Sequence, residues 1–234
     1  MNVLNENINF LLKRNGYSAK ELSASLKLSF KLDKPGEGNQ PLADDLIKLS
    51  DHFGFSVDLL LKRRLKLMEE VSAKNIQFLV LDVDGVMTDR GMYYTESGDE
   101  FKRFDTLDGV AVRRLTRNGF KVGIISSGFL IKLIQNRADL LGIQYVQTGS
   151  DPKIKTMERW SKELNIDFKH IAFIGDDLND KAVMERVGVS ACPADAEEEI
   201  KKIASVVLTK KGGRGCIREF VDHYFTNNPF IKKE

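Results

Sequence analysis

Hydrophobic residues fall along this chain in two rhythms. Up to about residue 68 they recur at helical spacing: Ile8, Leu11 and Leu12, then Leu22 and Leu26 behind Ser18 and Glu21, a pair with the form of a capping box. Between Leu42 and Leu61, the positions Leu46, Ile47, Leu49 and Phe53, then Gly54, then Val57, Leu60 and Leu61 predict two short helices with a glycine stop between them. Residues 66 to 75 are charged and hold neither proline nor glycine, which predicts a helix running into a short connector. Beyond it the rhythm changes to short, unbroken apolar runs. The first, from Phe78 to Leu81, ends in Asp82, Val83, Asp84 and Gly85.

Apolar runs of this kind predict strands buried on both faces. Further ones lie at Lys121 to Ser126, Gln144 to Gln147, Ile171 to Ile174, Val189 to Ala191 and Val206 to Leu208. Amphipathic stretches separate them. One opens at Asp108-Gly109, carries Val112 and Leu115 and stops at Asn118-Gly119; another carries Leu130, Leu133, Ile134, Leu140 and Leu141; a third holds Met157, Trp160 and Leu164. Two aromatic runs around a Ser97-Gly98 turn, Met92 to Thr95 and Glu100 to Phe104, predict a β-hairpin. Strands alternating with helices argue for an α/β fold with a doubly wound parallel sheet, Rossmann-like and covered on both faces. The predicted organisation is a small all-α domain over residues 1–68 and an α/β domain with a hairpin insertion over residues 75–228.

Composition narrows the function classes only modestly. The chain is 42% hydrophobic and 30% charged with a net charge of +2, which argues against a dominant polyanionic partner. Its two cysteines, Cys192 and Cys216, have no metal-ligand spacing and are too few for a secreted disulfide framework. The N-terminal residues lack a basic stretch followed by an apolar one, and no apolar run approaches a membrane span. A cytoplasmic protein with no membrane partner is the expectation.

The chemistry concentrates where strands end. In an open parallel sheet, ligands bind at the carboxyl ends of the strands. There the chain offers Asp82 and Asp84, then Ser126 followed by Ser127, then Lys153 with Lys155 nearby, then Asp176 with Asp177 and Asp180. Two carboxylates as close as Asp82 and Asp84 repel unless a cation or a shared proton relieves them, so a metal is expected. His52, His170 and His223 have no partner at ligand spacing, and Trp160 and Cys192 are expected in the core.

These endings, Asp82-Val83-Asp84-Gly85-Val86, Ile124-Ile125-Ser126, Lys153 and Gly175-Asp176-Asp177-Leu178-Asn179-Asp180, resemble the haloacid dehalogenase superfamily of phosphotransferases. With Thr88-Asp89, Asp108-Gly109 and Gly212-Gly213-Arg214-Gly215, the likeness is greatest to its capless sugar-acid branch, the 3-deoxy-D-manno-octulosonate 8-phosphate phosphatases. It spans about residues 76 to 225, and Ile217 to Phe220 also resembles a domain appended to some animal acylneuraminate cytidylyltransferases.

The resemblance implies a magnesium-dependent phosphatase acting through an aspartyl-phosphate. Asp82 is the candidate nucleophile and Asp84 the acid and base, placed two residues along the strand on one face. Mg2+ suits Asp82, Asp176 and, through its main-chain carbonyl, Asp84. Ser126 would bind a phosphoryl oxygen, with Ser127 as the other candidate hydroxyl, and Lys153 would neutralise charge. Asp177 and Asp180 would hold metal waters or orient Lys153. Thr88, Asp108 and Arg214 are the substrate-binding candidates, Arg214 for a sugar-acid carboxylate. By the resemblance Arg214 goes with the octulosonate branch, whereas Leu107 stands where that branch carries arginine and points to a different sugar; the alternative substrate is an acylneuraminate-type nononate 9-phosphate.

The 44 positions from Asp82 to Ser126 leave no room for a separate cap. An uncovered crevice exposes the intermediate to water, so a homotetramer is expected in which the 92–104 hairpin covers a neighbour's site. Residues 45 to 60 resemble the lambda-repressor-like helix-turn-helix domains. Yet Phe30 to Pro41, where that class presents its recognition helix, holds Pro35, Gly36 and Gly38, and residues 1–74 carry 12 Lys and Arg against 10 Asp and Glu. That composition favours an interaction or oligomerisation module over DNA binding, and the complete set of catalytic candidates disfavours a DNA- or protein-binding regulator whose phosphatase fold senses a ligand.

Overall fold

The computed structural model describes residues 3–32, 40–128 and 131–226. The chain forms two compact units that divide between Glu70 and Val71.

The N-terminal unit is helical: α1 (Val3–Asn15), α2 (Ala19–Ser25), α3 (Ala43–Phe53), α4 (Val57–Lys62) and the start of α5 (Leu65–Ala73). Ser18 caps α2 by accepting from the Glu21 N–H, and Gly54 ends α3 with a φ of 71° that glycine adopts without strain. Ile8, Leu11, Leu22, Leu49, Leu60 and Leu65 are buried. Periodicity did not flag Asn7, which is buried on α1. Its amide donates to the carbonyls of Leu60 at 2.9 Å and Arg63 at 2.6 Å, and its oxygen accepts from the Leu65 N–H at 2.9 Å. One side chain thereby serves both the end of α4 and the start of α5. Residues 33–39, the heart of the expected recognition segment, lie outside the described residues.

The larger unit is built on a six-stranded parallel sheet in the order β5-β4-β1-β6-β7-β8 with flanking helices. Its strands are β1 (Phe78–Leu81), β4 (Lys121–Ser126), β5 (Tyr145–Thr148), β6 (Ile171–Ile174), β7 (Val189–Cys192) and β8 (Val206–Val207). The hairpin strands β2 (Tyr93–Tyr94) and β3 (Glu100–Phe101) pair antiparallel outside this sheet. Every residue of β1 is buried, as its continuous apolar run requires. Phe78 and Val80 pack with Phe173, Met157 and Trp160 on one face of the sheet. β1 pairs with β4 on one side and β6 on the other, so the strand order reverses beside it and opens a crevice at its carboxyl end.

The helices are α6 (Thr106–Arg117), α7 (Ile131–Leu141), α8 (Lys153–Leu164), α9 (Lys181–Met184), α10 (Glu198–Ile203) and α11 (Cys216–Phe220). α6 starts earlier than the Asp108-Gly109 pair predicts, because Asp105 caps it by accepting from the Leu107 and Asp108 N–H groups. β5 lies one residue later than expected, and Leu130 falls outside the described residues. Among the described residues, no helix is long and apolar enough to cross a membrane.

One correction bears on the site. β1 stops at Leu81, and residues 83–87 form a tight π-type turn in which Asp84 has φ −80°, ψ 112° and Gly85 has φ 90°. Two-residue alternation therefore does not govern Asp84. Asp84 thus lies beyond the strand, in the turn that follows it.

Candidate active site

Lys153 occupies the first turn of α8, where the helix dipole disfavours a cation. Two carboxylates hold it there: its ammonium donates to Asp82 Oδ1 at 2.7 Å and to Asp180 Oδ1 at 2.6 Å, with Lys153 only 3% exposed. Asp180 Oδ2 accepts from the backbone N–H groups of Asp176 at 2.9 Å and Asp177 at 3.3 Å, which closes the turn after β6. Gly175 is needed at that turn, since a Cβ there would stand 2.6 Å from the Asp180 carboxyl carbon.

Asp176 completes an acidic trio. Its Oδ2 accepts from Nε and Nη2 of Arg90 at 2.7 and 2.6 Å, while its Oδ1 is buried with no hydrogen-bond partner among the described residues. One oxygen from each of Asp82, Asp176 and Asp180 lies within 4.8 Å of the others. Three carboxylates thus face two cations, Lys153 and Arg90, so the buried group retains one uncompensated negative charge when all are ionised. Burial and the Asp180 charge push the Asp82 carboxyl well above its ordinary range, and Lys153 opposes them. Burial also raises Asp176, to about 6, against the bond and charge of Arg90. Burial works to lower the Lys153 ammonium, but the charges of Asp82 and Asp180 outweigh it, so lysine stays protonated.

The other predicted residues divide by position. The Asp84 carboxylate is 40% exposed and receives Lys102 Nζ at 2.7 Å, with the Thr88 hydroxyl at 3.4 Å. It is not one of the three clustered carboxylates. Ser126 is buried, and its hydroxyl accepts from the Gly128 N–H at 3.1 Å, whereas Ser127 is exposed and meets Asn179 at 3.2 Å. Asp177 caps the following turn through the Leu178 N–H at 2.7 Å, while Lys153 is held by Asp180.

Of the substrate-binding candidates, two are engaged inside the protein. Thr88 is fully buried, its hydroxyl donating to the Val83 carbonyl at 3.2 Å, so it braces the turn. Asp108 is 3% exposed and accepts from the N–H groups of Gly215 at 3.1 Å and Arg218 at 2.7 Å, which fastens the glycine-rich loop and the start of α11. Arg214, by contrast, extends from that loop with its side chain 56% exposed and Nη2 3.3 Å from Asp89 Oδ2.

The family profile described as haloacid dehalogenase-like hydrolase matches residues 62–219. The chain belongs to the haloacid dehalogenase-like hydrolases. Over 150 residues this hydrolase is 39% identical to the 3-deoxy-D-manno-octulosonate 8-phosphate phosphatase of Yersinia pestis, covering 64% of this chain and 80% of that one. The Escherichia coli K12 phosphatase of the same name is 38% identical over the same length, with 79% of it covered. The crystal structure of the Yersinia pestis phosphatase superposes with a TM-score of 0.66 at 35% identity, covering 70% of this chain and 88% of that one. The Moraxella catarrhalis phosphatase, solved in complex with magnesium ion, phosphate ion and a KDO molecule, gives a TM-score of 0.63 at 29% identity, covering 67% and 88%.

The donor set of the hydrolase fits a hard divalent cation. It offers oxygen ligands only, an excess of negative charge and, in Asp176 Oδ1, a buried acceptor with no donor among the described residues. Three residues around the crevice were not singled out from sequence. Arg90 came from a turn with no periodicity to mark it. Lys102 follows the short strand β3, and its ammonium lies 3.0 Å from Glu100 Oε1. Arg103 Nη1 bonds Asp89 Oδ2 and the Gly213 carbonyl, each at 3.1 Å, and joins Arg214 on a single acid.

Proposed function

We propose that this hydrolase is a magnesium-dependent phosphatase of a phosphorylated 2-keto-3-deoxy sugar acid, with 3-deoxy-D-manno-octulosonate 8-phosphate as its substrate. The observation that carries this reading is the acidic trio bridged by Lys153, in a chain similar over most of its length to phosphatases of that name.

Asp82 attacks phosphorus, and the bond to the sugar oxygen breaks as an aspartyl-phosphate forms. Asp84, protonated, gives its proton to the departing alkoxide; its partial exposure supports that part. It then takes a proton from water, which attacks phosphorus, frees inorganic phosphate and restores Asp82. Lys153 neutralises charge beside the nucleophile, Asp180 holds Lys153, and the Ser126 hydroxyl donates to a phosphoryl oxygen. Mg2+, held by Asp82, Asp176 and the Asp84 main-chain carbonyl, would screen the repulsion between anionic nucleophile and anionic substrate.

Arg103 and Arg214, gathered on Asp89, carry one positive charge beyond what that acid neutralises and suit the sugar-acid carboxylate. Leu107, 58% exposed at the start of α6, keeps a nononate 9-phosphate as the second substrate to assay. Release of phosphate from the octulosonate ester with Mg2+, abolished in Asp82→Asn, tests the proposal. No turnover across a panel of sugar-acid phosphates sinks it.

The hairpin supports a homotetramer. Met92, Tyr93, Tyr94 and Phe101 are all at least 42% exposed, more apolar surface than a short solvated hairpin would carry by itself. For residues 1–68 the balanced charge favours a protein-interaction module, and salt-dependent, sequence-selective DNA retention would overturn that reading.

A further inference from the structure

We propose that Arg90 is a positioning residue, which fixes the Asp176 carboxylate so that its Oδ1 alone is presented to the divalent ion. The inference rests on the metal-dependent reading above and goes past it by assigning a role to a side chain outside the acidic trio.

The backbone of Arg90 lies in the left-handed region, at φ 64°, where a residue bearing a Cβ is strained. Strain of this kind persists where the surroundings over-determine the residue. What determines it here is the guanidinium, which places both Nε and Nη2 on the same oxygen of Asp176, at 2.7 and 2.6 Å. The carboxylate cannot turn about its Cβ–Cγ bond without losing both. Gly85 makes the arrangement possible, since a Cβ at that position would collide with Asp176 Oδ2 and lie 2.6 Å from Arg90 Nε.

The two oxygens of Asp176 are therefore unequal. Oδ2 is saturated, and Oδ1 is buried with no hydrogen-bond partner among the described residues, a state that is costly until something accepts its lone pairs. Asp180 cannot take this part, because Lys153 and two backbone N–H groups already engage both of its oxygens. Asp82 has one oxygen on Lys153. Arg90 thus performs for a carboxylate what an outer hydrogen-bond partner commonly performs for a metal ligand, and losing such a partner typically weakens metal affinity by about 10- to 100-fold.

The test is a titration of Mn2+ alone into the full chain and its Arg90→Ala and Arg90→Lys variants, followed by electron paramagnetic resonance of the free ion. Binding about 10- to 100-fold weaker in Arg90→Ala, partly restored in Arg90→Lys, and a matching reduction in the Mn2+-induced rise of the melting temperature, is the expected result. Equal binding would overturn the proposal. Tighter binding in Arg90→Ala would also overturn it, by making Arg90 a counter-cation that the ion displaces. Absence of Mn2+ binding to the unmutated chain would remove the metal-dependent reading along with this one. The comparison uses no sugar phosphate, so its outcome is independent of the substrate.

Discussion

Lys153 stands 2.7 Å from Asp82, although 71 positions separate them in the chain. The lysine neutralises the residue proposed to attack phosphorus, and it is held from the other side by Asp180 at 2.6 Å. Replacing Lys153 with Met leaves two buried carboxylates without their cation. The expected outcome is a stability loss of about 3–5 kcal/mol in urea denaturation at neutral pH, together with a fall in kcat of about a hundredfold or more. Activity within tenfold of the parent would show that the ammonium is dispensable to the chemistry.

Asp82→Asn separates chemistry from folding. Burial and Asp180 make the charged form of Asp82 costly, so the neutral isostere is expected to melt at the same temperature as the parent or higher. Phosphate release should fall by at least about a thousandfold, since an amide is no nucleophile here. Differential scanning calorimetry alongside a phosphate assay distinguishes this from a variant that is inactive because it unfolds.

Gly85→Ala tests the turn itself. The added methyl would enter space held by Asp176 Oδ2 and Arg90, at a φ of 90° that alanine avoids. A loss of Mg2+ affinity and of turnover together is expected by calorimetric titration and steady-state assay. An alanine variant that binds Mg2+ like the parent would mean the turn is softer than its contacts imply.

Asp108 gives a pH prediction. Burial raises its carboxyl from 3.8 to about 6, with the Arg218 and Gly215 N–H groups pulling it down and Asp105 adding to the rise. Between those values the folded chain keeps a proton that the unfolded chain has released. The contribution of Asp108 therefore falls as pH rises through that window and is fully lost above about 6, by some 2–3 kcal/mol at most. Asp108→Asn lacks that proton exchange. The difference in unfolding free energy between parent and variant, followed by urea denaturation from pH 4 to 7, should shift against the parent as pH rises; a flat difference would refute the assignment.

The hairpin yields the last prediction. Tyr93 and Phe101 stack with ring centroids 5.3 Å apart and remain exposed. If a neighbouring subunit covers them, Phe101→Asp should dissociate the assembly in sedimentation velocity and lower kcat/KM. A parent chain that sediments as a monomer would end the tetramer proposal.

Much of this was legible in the residue order. Continuous apolar runs such as Phe78 to Leu81 mark strands buried on both faces, and the amphipathic stretches between them require helices to cover those faces. The acids and the lysine at strand ends announced the crevice, because a buried parallel sheet exposes chemistry only where its strands stop. Sequence spacing did not reveal that β1 ends at Leu81 and that Asp84 lies in the turn after it, where strand alternation no longer applies. It also could not tell that Thr88 and Asp108 turn inward. Whether a polar side chain faces a ligand or a backbone N–H depends on which segment folds against it, and for Asp108 that segment is more than a hundred residues away. The pairing of Arg90 with Asp176 was hidden for the same reason: a long flexible side chain in a turn carries no period, and only the packed fold brings it a partner.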